Sequence, residues 1–203
     1  LARYRKEIQI ATLILFVILL KMGKIQLWMG IFFISLLFSI LFGRFYCGYI
    51  CPINTVMEIM DTNVKKNKKI RKKVPELLKQ PWIRYSILIL FICTMIFIFK
   101  TRRKLPVLPV LFLLGVILTV FFEPSLWHRY LCPYGSMLSI FSKKSKSGYT
   151  ISDDHCIKCG LCVRNCPSDA IYWENKSKYP IILKNECILC SRCKQSCSTE
   201  AIK

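Results

Sequence analysis

Eight of the twelve cysteines fall into two copies of one spacing. Cys156, Cys159, Cys162 and Cys166 read C-x2-C-x2-C-x3-C and run into Pro167; Cys187, Cys190, Cys193 and Cys197 repeat the run with Ser198 in place of the proline. Three thiolates two residues apart on a tight loop can wrap three corners of an iron-sulfur cubane, while a fourth further along reaches a neighbouring one. The expected ligation is therefore crossed. Cys156, Cys159, Cys162 and Cys197 hold one [4Fe-4S] cluster, and Cys187, Cys190, Cys193 and Cys166 hold the other. Ser198 replaces a residue that shapes a turn and ligates nothing, so it is not expected to cost a cluster. Structural zinc more often uses two C-x2-C pairs across a longer loop, and disulfides belong to oxidising compartments; both fit the repeated run less well.

A second pair of motifs lies upstream. R-F-Y-C-G-Y-I-C-P places Cys47 and Cys51 before Pro52, and H-R-Y-L-C-P places His128 and Cys132 before Pro133, in register 81 positions later. A shared metal centre, a redox-active dithiol at Cys47 and Cys51, and packed helix ends are all open from the residues alone.

Each motif follows two apolar stretches, and these are the elements that must position it. Ile25–Gly43, Trp82–Phe99 and Leu105–Phe122 run 18 or 19 residues, enough to span ~30 Å of hydrocarbon as helix. Ile8–Leu20 is shorter and would need Lys21 and Lys24 to snorkel. A signal peptide competes there, since Arg3, Arg5 and Lys6 precede the run, but no small-residue cleavage site follows Leu20. The expected fold is an α-helical membrane protein, four transmembrane helices arranged as two helix-pair repeats, with a small α+β ferredoxin-like domain. We place the membrane part at 1–142, its cysteine loops at 44–61 and 127–142, a linker at 143–149 and the cluster domain at 150–203.

Composition agrees with this division, because 54% hydrophobic residues coexist with a net charge of +20. Apolar spans account for the first and basic loops facing anionic lipid for the second. Much of the charge, Lys65 to Lys73, sits between apolar stretches and not on a folded face, which argues against a nucleic-acid partner. The side holding the N-terminus, residues 44–81 and the cluster domain carries most Lys and Arg. By the positive-inside tendency that side is cytoplasmic, although Lys100, Arg102, Arg103 and Lys104 fall opposite.

From about Gly148 onward the chain resembles the bacterial two-cluster ferredoxins, including the pairs Ala170-Ile171 and Ala201-Ile202 after each cysteine run. Together with the paired C-P motifs, the whole from about Ile25 resembles the membrane polyferredoxin family, which includes the quinol-oxidising membrane subunit of periplasmic nitrate reductase systems. The resemblance implies an electron relay at the cell membrane with a third iron-sulfur centre at Cys47, Cys51, His128 and Cys132. His128 departs from the cysteine common in that family. An imidazole in place of a thiolate leaves the oxidised centre less negative, which is expected to raise its potential.

No dinucleotide fingerprint, phosphate loop or H-E-x-x-H occurs, so hydride or hydrolytic chemistry is assigned to others. The implied partners are membrane lipid, a quinone pool, and redox subunits of flavoprotein, ferredoxin or cytochrome type. A redox-sensing or metalloenzyme-maturation role is the alternative.

Overall fold

Apolar runs favour helix wherever backbone groups have no water to bond, but glycine and proline decide where each helix stops. The computed structural model describes residues 4–66, 71–101, 107–174 and 178–203. Its helices are α1 (Arg5–Lys21), α2 (Gln26–Phe42), α3 (Pro52–Lys66), α4 (Pro81–Thr101), α5 (Val107–Phe121), α6 (Pro133–Phe141), α7 (Leu161–Asn165) and α8 (Arg192–Gln195). Two short strands, β1 (Ile171–Tyr172) and β2 (Ile181–Ile182), pair antiparallel with Ile171 opposite Ile182. The chain divides into two compact units, Leu1–Thr55 with Leu138–Lys203, and Val56–Met137.

The expectation of four membrane-crossing helices is overturned. Among the described residues one helix is long and apolar enough to cross a membrane, the Pro81–Ile98 portion of α4. Among the described residues α2 has 17 residues and α5 has 15, about 25 and 22 Å at ~1.5 Å per residue, short of the ~30 Å hydrocarbon. α1 opens with Arg5, Lys6 and Glu7 inside the helix and buries Arg5 and Gln9. The discrepancy has a local cause: an apolar run is longer than the helix it forms. α2 stops because Gly43 turns to φ 68°. α5 stops where the chain is drawn into extended pairing, with Lys72 N–H donating to the Phe121 carbonyl (3.0 Å) and Glu123 N–H to the Lys72 carbonyl (3.2 Å). The basic residues Arg102, Arg103 and Lys104, and part of Lys65–Lys73, lie outside the described residues.

In the first unit an aromatic cluster fixes the hairpin of α1 and α2. Phe16 meets Trp28 edge-on at 5.2 Å, and Phe32 meets Tyr46 likewise at 5.3 Å. Trp28 Nε1 donates to the Tyr46 hydroxyl at 2.9 Å, giving a buried indole the acceptor it needs. Tyr46 opens a π-helical turn, Tyr46–Ile50. Within that turn Gly48 has no room for a side chain: a Cβ there would lie 2.0 Å from the Ile188 carbonyl oxygen. The same unit holds residues 150–203, closed end to end by Thr150 and Lys203, whose N–H groups each donate to the other's carbonyl at 3.0 Å. Ala170, Ile171, Ile182 and Ile202 form its core with Cys187 and Cys193.

In the second unit Val74, Leu126 and Tyr130 are the buried centre, with Leu118 and Phe122 of the α5 end packed on them. Phe91 of α4 meets Tyr134 edge-on at 5.0 Å, and Arg84 Nε donates to Ser136 Oγ at 3.1 Å. Large apolar side chains elsewhere on the long helices face outward, Leu37 and Phe38 on α2, Ile89 and Leu90 on α4, Leu113 and Phe121 on α5.

Gly48→Ala must push its methyl into a backbone carbonyl, and overpacking of that kind costs ~1–3 kcal/mol. Gly30→Ala, in α2 with nothing within 4 Å of the added atom, should be neutral or stabilising by about 0.5–1 kcal/mol. Thermal unfolding of the two variants beside the parent in one detergent checks this, and equal midpoints for both would contradict the close approach at Gly48.

Candidate metal centres

Each cysteine run of residues 150–203 is shaped by the same backbone signature. Lys158, Gly160 and Asp169 take positive φ, and so do Leu189, Ser191 and Glu200, each 31 positions later. Non-glycine residues seldom adopt this conformation, and here it recurs because it bends the loop around a point and turns successive N–H groups inward. Ala170 N–H donates to Cys166 Sγ at 3.2 Å.

Two cavities result. One is lined by Cys166, Cys187, Cys190 and Cys193 with Tyr149 and Ile188. The other is lined by Cys156, Cys159, Cys162 and Cys197 with Ile157 and Lys158. Each thus brings together three cysteines of one run and the last of the other, the grouping expected from spacing. Among the described residues no three His, Cys, Asp or Glu side chains converge tightly enough to hold a single metal ion. Four thiols around a shared space suit a four-iron cubane, in which several irons divide the ligands, better than one ion that must take all four.

The electrostatics point the same way. Burial pushes the Cys190 and Cys193 thiols up to about 12, and the neighbouring Cys187 and Cys166 add to the rise in both. Cys187 and Cys162 are also raised, chiefly by burial. Cys197 is lowered: its slight burial works against ionisation, but bonds from the Thr199 side chain and the N–H groups of Ala201, Thr199 and Ile202 prevail. Gathering thiolates in such a place is unfavourable unless cationic iron neutralises them.

The upstream residues are distributed over both units: Cys47 and Cys51 belong to the first, His128 and Cys132 to the second. Their two loops share one local structure. Each is a π-helical turn, Tyr46–Ile50 and Leu126–Leu131, closed by a cysteine whose N–H donates five residues back at 2.9 Å, Cys51 to Tyr46 and Cys132 to Trp127. The following proline then starts a helix. In its first turn Thr55 and Ser136 donate side-chain hydroxyls to the carbonyls of Cys51 and Cys132, at 3.1 and 3.2 Å. Inserted π turns are frequent at functional sites because they redirect side chains from a helical path. His128 and Cys132 are buried, and Gly135 N–H donates to Cys132 Sγ at 3.4 Å. Asn54 is buried with no acceptor for its Nδ2 among the described residues.

Two charged residues stand beside these cysteines. Arg44 is fully buried, with one guanidinium nitrogen 3.0 Å from Glu186 Oε2 and another 3.9 Å from Cys47 Sγ. Glu186 immediately precedes Cys187 and accepts from Ser139 Oγ at 2.8 Å. Burial pushes the Cys47 thiol up, and Arg44 opposes the rise while Glu186 adds to it. The only sequence signal for this pair was a charge beside each cysteine motif.

Residues 25–73 and 105–150 match the 4Fe-4S binding domain family, and residues 132–203 match the 4Fe-4S dicluster domain family. The chain carries ferredoxin-type domains with two [4Fe-4S] clusters. It is 28% identical over 146 residues to an uncharacterized protein of Methanocaldococcus jannaschii, covering 64% of this chain and 60% of that one. It is 26% identical over 156 residues to YccM of Escherichia coli, provisionally named an electron transport protein, covering 64% and 43%. With the methylamine utilization ferredoxin-type protein MauN of Paracoccus denitrificans the identity is 24% over 150 residues, covering 68% and 53%. The chain spans about half the length of the curated relatives it matches. No solved structure matches it.

Removing one partner of a buried ion pair leaves the other charge stranded and costs ~3–5 kcal/mol, whereas replacing both by apolar residues costs far less. Glu186→Ala should therefore destabilise the first unit by that amount, and Arg44→Met with Glu186→Leu by much less. Denaturant unfolding followed by loss of cluster absorbance measures both. A double variant as unstable as the single would show that the pair is not acting as a charge pair.

Proposed function

We propose that this chain is an electron-transfer protein that relays single electrons through two [4Fe-4S] clusters with crossed ligation. Cys156, Cys159, Cys162 and Cys197 hold the first cluster, and Cys187, Cys190, Cys193 and Cys166 the second. The observation that carries the proposal is the grouping of those eight cysteines around two cavities in that combination. When bound, the clusters supply reversible one-electron chemistry. The chain's own residues do the rest: they fix thiolates, donate backbone N–H groups to sulfur and exclude water from the second site, the levers by which a protein tunes such a centre.

We further propose that the relay works at the cell membrane, with the cluster-bearing segment on the cytoplasmic side. Support comes from the apolar Pro81–Ile98 stretch and from outward-facing Leu, Ile and Phe on α2, α4 and α5, surfaces that favour lipid or a membrane partner over water. The names of YccM and MauN, electron transport and ferredoxin-type, agree in kind. The partners are then a quinone pool or a redox subunit of flavoprotein, ferredoxin or cytochrome type.

Crossed ligation is tested by spectroscopy of the full chain purified without oxygen. Cys166→Ser and Cys190→Ser should perturb the same electron paramagnetic resonance signal and Cys197→Ser the other; if Cys166→Ser and Cys159→Ser perturb one signal together, the ligation is uncrossed. Iron should reach at least about eight per chain, four per cluster. After reduction by dithionite, a menaquinone analogue should reoxidise the clusters in detergent within the mixing time of the assay. Clusters that respond only to protein acceptors would remove the quinone from the scheme.

A further inference from the structure

Arginine carries its N–H donors on distinct edges of a planar group, so a buried arginine with one edge filled still has another to fill. Arg71, in the second unit, is in that position. Its side chain is 8% exposed, and its Nη1 pairs with Oδ1 of Asp61, a buried residue of α3 ten positions back. Nε and Nη2 are enclosed as well and meet no acceptor among the described residues. These two N–H groups lie along one edge of the guanidinium, the fork that grips two oxygens of a single oxyanion. Buried donors without acceptors are costly, and one group offering two oxygens relieves both at once.

The surroundings favour phosphate. All but two of the residues from Lys65 to Lys73 are Lys or Arg, a positive excess that Asp61 alone does not offset and that draws an anion to this stretch. A quinone fits less well, because its two oxygens lie on opposite sides of the ring and only one can reach the fork. Arg71 is also held in place. Its neighbour Lys72 bridges to Phe122 at the end of α5, and Val74 packs with Leu126 and Tyr130. α4 begins ten positions on, at Pro81. Near its start Trp82 and Tyr85 are exposed, rings suited to the boundary between lipid and water.

We propose that Arg71 is a phosphate-binding residue: the Nε–Nη2 edge of its guanidinium, backed by Asp61, takes two oxygens of one phosphate group, supplied by a phospholipid headgroup or by free phosphate. The ligand reaches the enclosed edge by displacing what covers it, and two charge-assisted hydrogen bonds favour that exchange. No cluster takes part, so the inference goes beyond the relay and fails or stands independently of it.

The test uses the full chain with its cluster absorbance intact, purified in an uncharged detergent without phosphate buffer. Dihexanoyl phosphatidylglycerol, dihexanoylglycerol, which lacks the phosphate, and inorganic phosphate are titrated by isothermal calorimetry. Phosphatidylglycerol should bind at least about tenfold more tightly than dihexanoylglycerol. Arg71→Lys keeps a charge but has no fork, and should weaken binding about tenfold. Lys73→Gln removes an exposed charge from the same run and should change binding less than about twofold. Displacement of the lipid by inorganic phosphate assigns the site to the ion, and lipid that phosphate does not displace assigns it to the headgroup; either supports the inference. If Arg71→Lys does not fold, the parent's salt dependence decides, since a buried fork loses little affinity between about 0.05 and about 0.5 M sodium chloride whereas attraction to an exposed run falls steeply. A steep fall in that case overturns the inference. So does a parent that binds neither phosphate compound above the level of dihexanoylglycerol, an Arg71→Lys variant that binds like the parent, or a Lys73→Gln variant as weak as Arg71→Lys.

Discussion

Mutual repulsion among thiolates is the constraint on which the rest of residues 150–203 depends. Four ionised sulfurs facing one cavity, with burial already raising the Cys190 and Cys193 thiols to about 12, cannot be an energy minimum of the protein alone. A segment this small buries a core of a few Ala and Ile side chains, too little to offset the ordering of its loops without added bonds. Metal-sulfur bonding therefore supplies folding energy as well as redox chemistry. The positive φ values at Lys158, Asp169, Leu189, Ser191 and Glu200 fit this view, because local strain survives where something outside the local backbone over-determines it.

The same constraint explains what could be read from the sequence. Cysteines at fixed spacing on tight loops can be sorted into candidate sets of four from the sequence alone, and two cavities are lined by those side chains. The two C-P motifs were legible as a repeat for a similar reason, since the π turn, the cysteine cap and the proline-led helix are all local. The helix lengths were not. Counting apolar residues from Ile25 to Gly43 or from Leu105 to Phe122 measures composition, whereas the ends of α2 and α5 are set by the φ of Gly43 and by the pairing of Lys72 with Phe121 and Glu123.

Arg5, Arg44 and Glu186 were illegible for a different reason. A basic residue beside an apolar stretch has a ready reading from composition, and Arg5 with Arg3 and Lys6 reads as the basic flank of a signal peptide. Its contacts include Gly48 and Cys190, 43 and 185 positions away, and Arg44 reaches Glu186 across 142. Nothing local in the sequence encodes such pairing. The one available cue was indirect: Gly48 lies inside a cysteine motif, and glycine at such a place often marks close backbone approach, here to Ile188.

An internal repeat makes two similar cages, and function then depends on how their settings differ. Cys156 to Cys166 and Cys187 to Cys197 share spacing and backbone, yet Pro167 is matched by Ser198 and Gly160 by Ser191. The larger difference lies outside the repeat. The first cage keeps Cys159 and Ile157 at the surface, where an electron can be exchanged with a partner over a short distance. The second is covered by Gly48 pressing on Ile188, by Arg5 on Cys190 and by the Arg44–Glu186 pair beside Cys187. Identical cages in identical surroundings would give an electron no preferred site. Here one cage is open and one covered, and the covered one is the cage that meets the turn carrying Cys47, through Gly48 against Ile188.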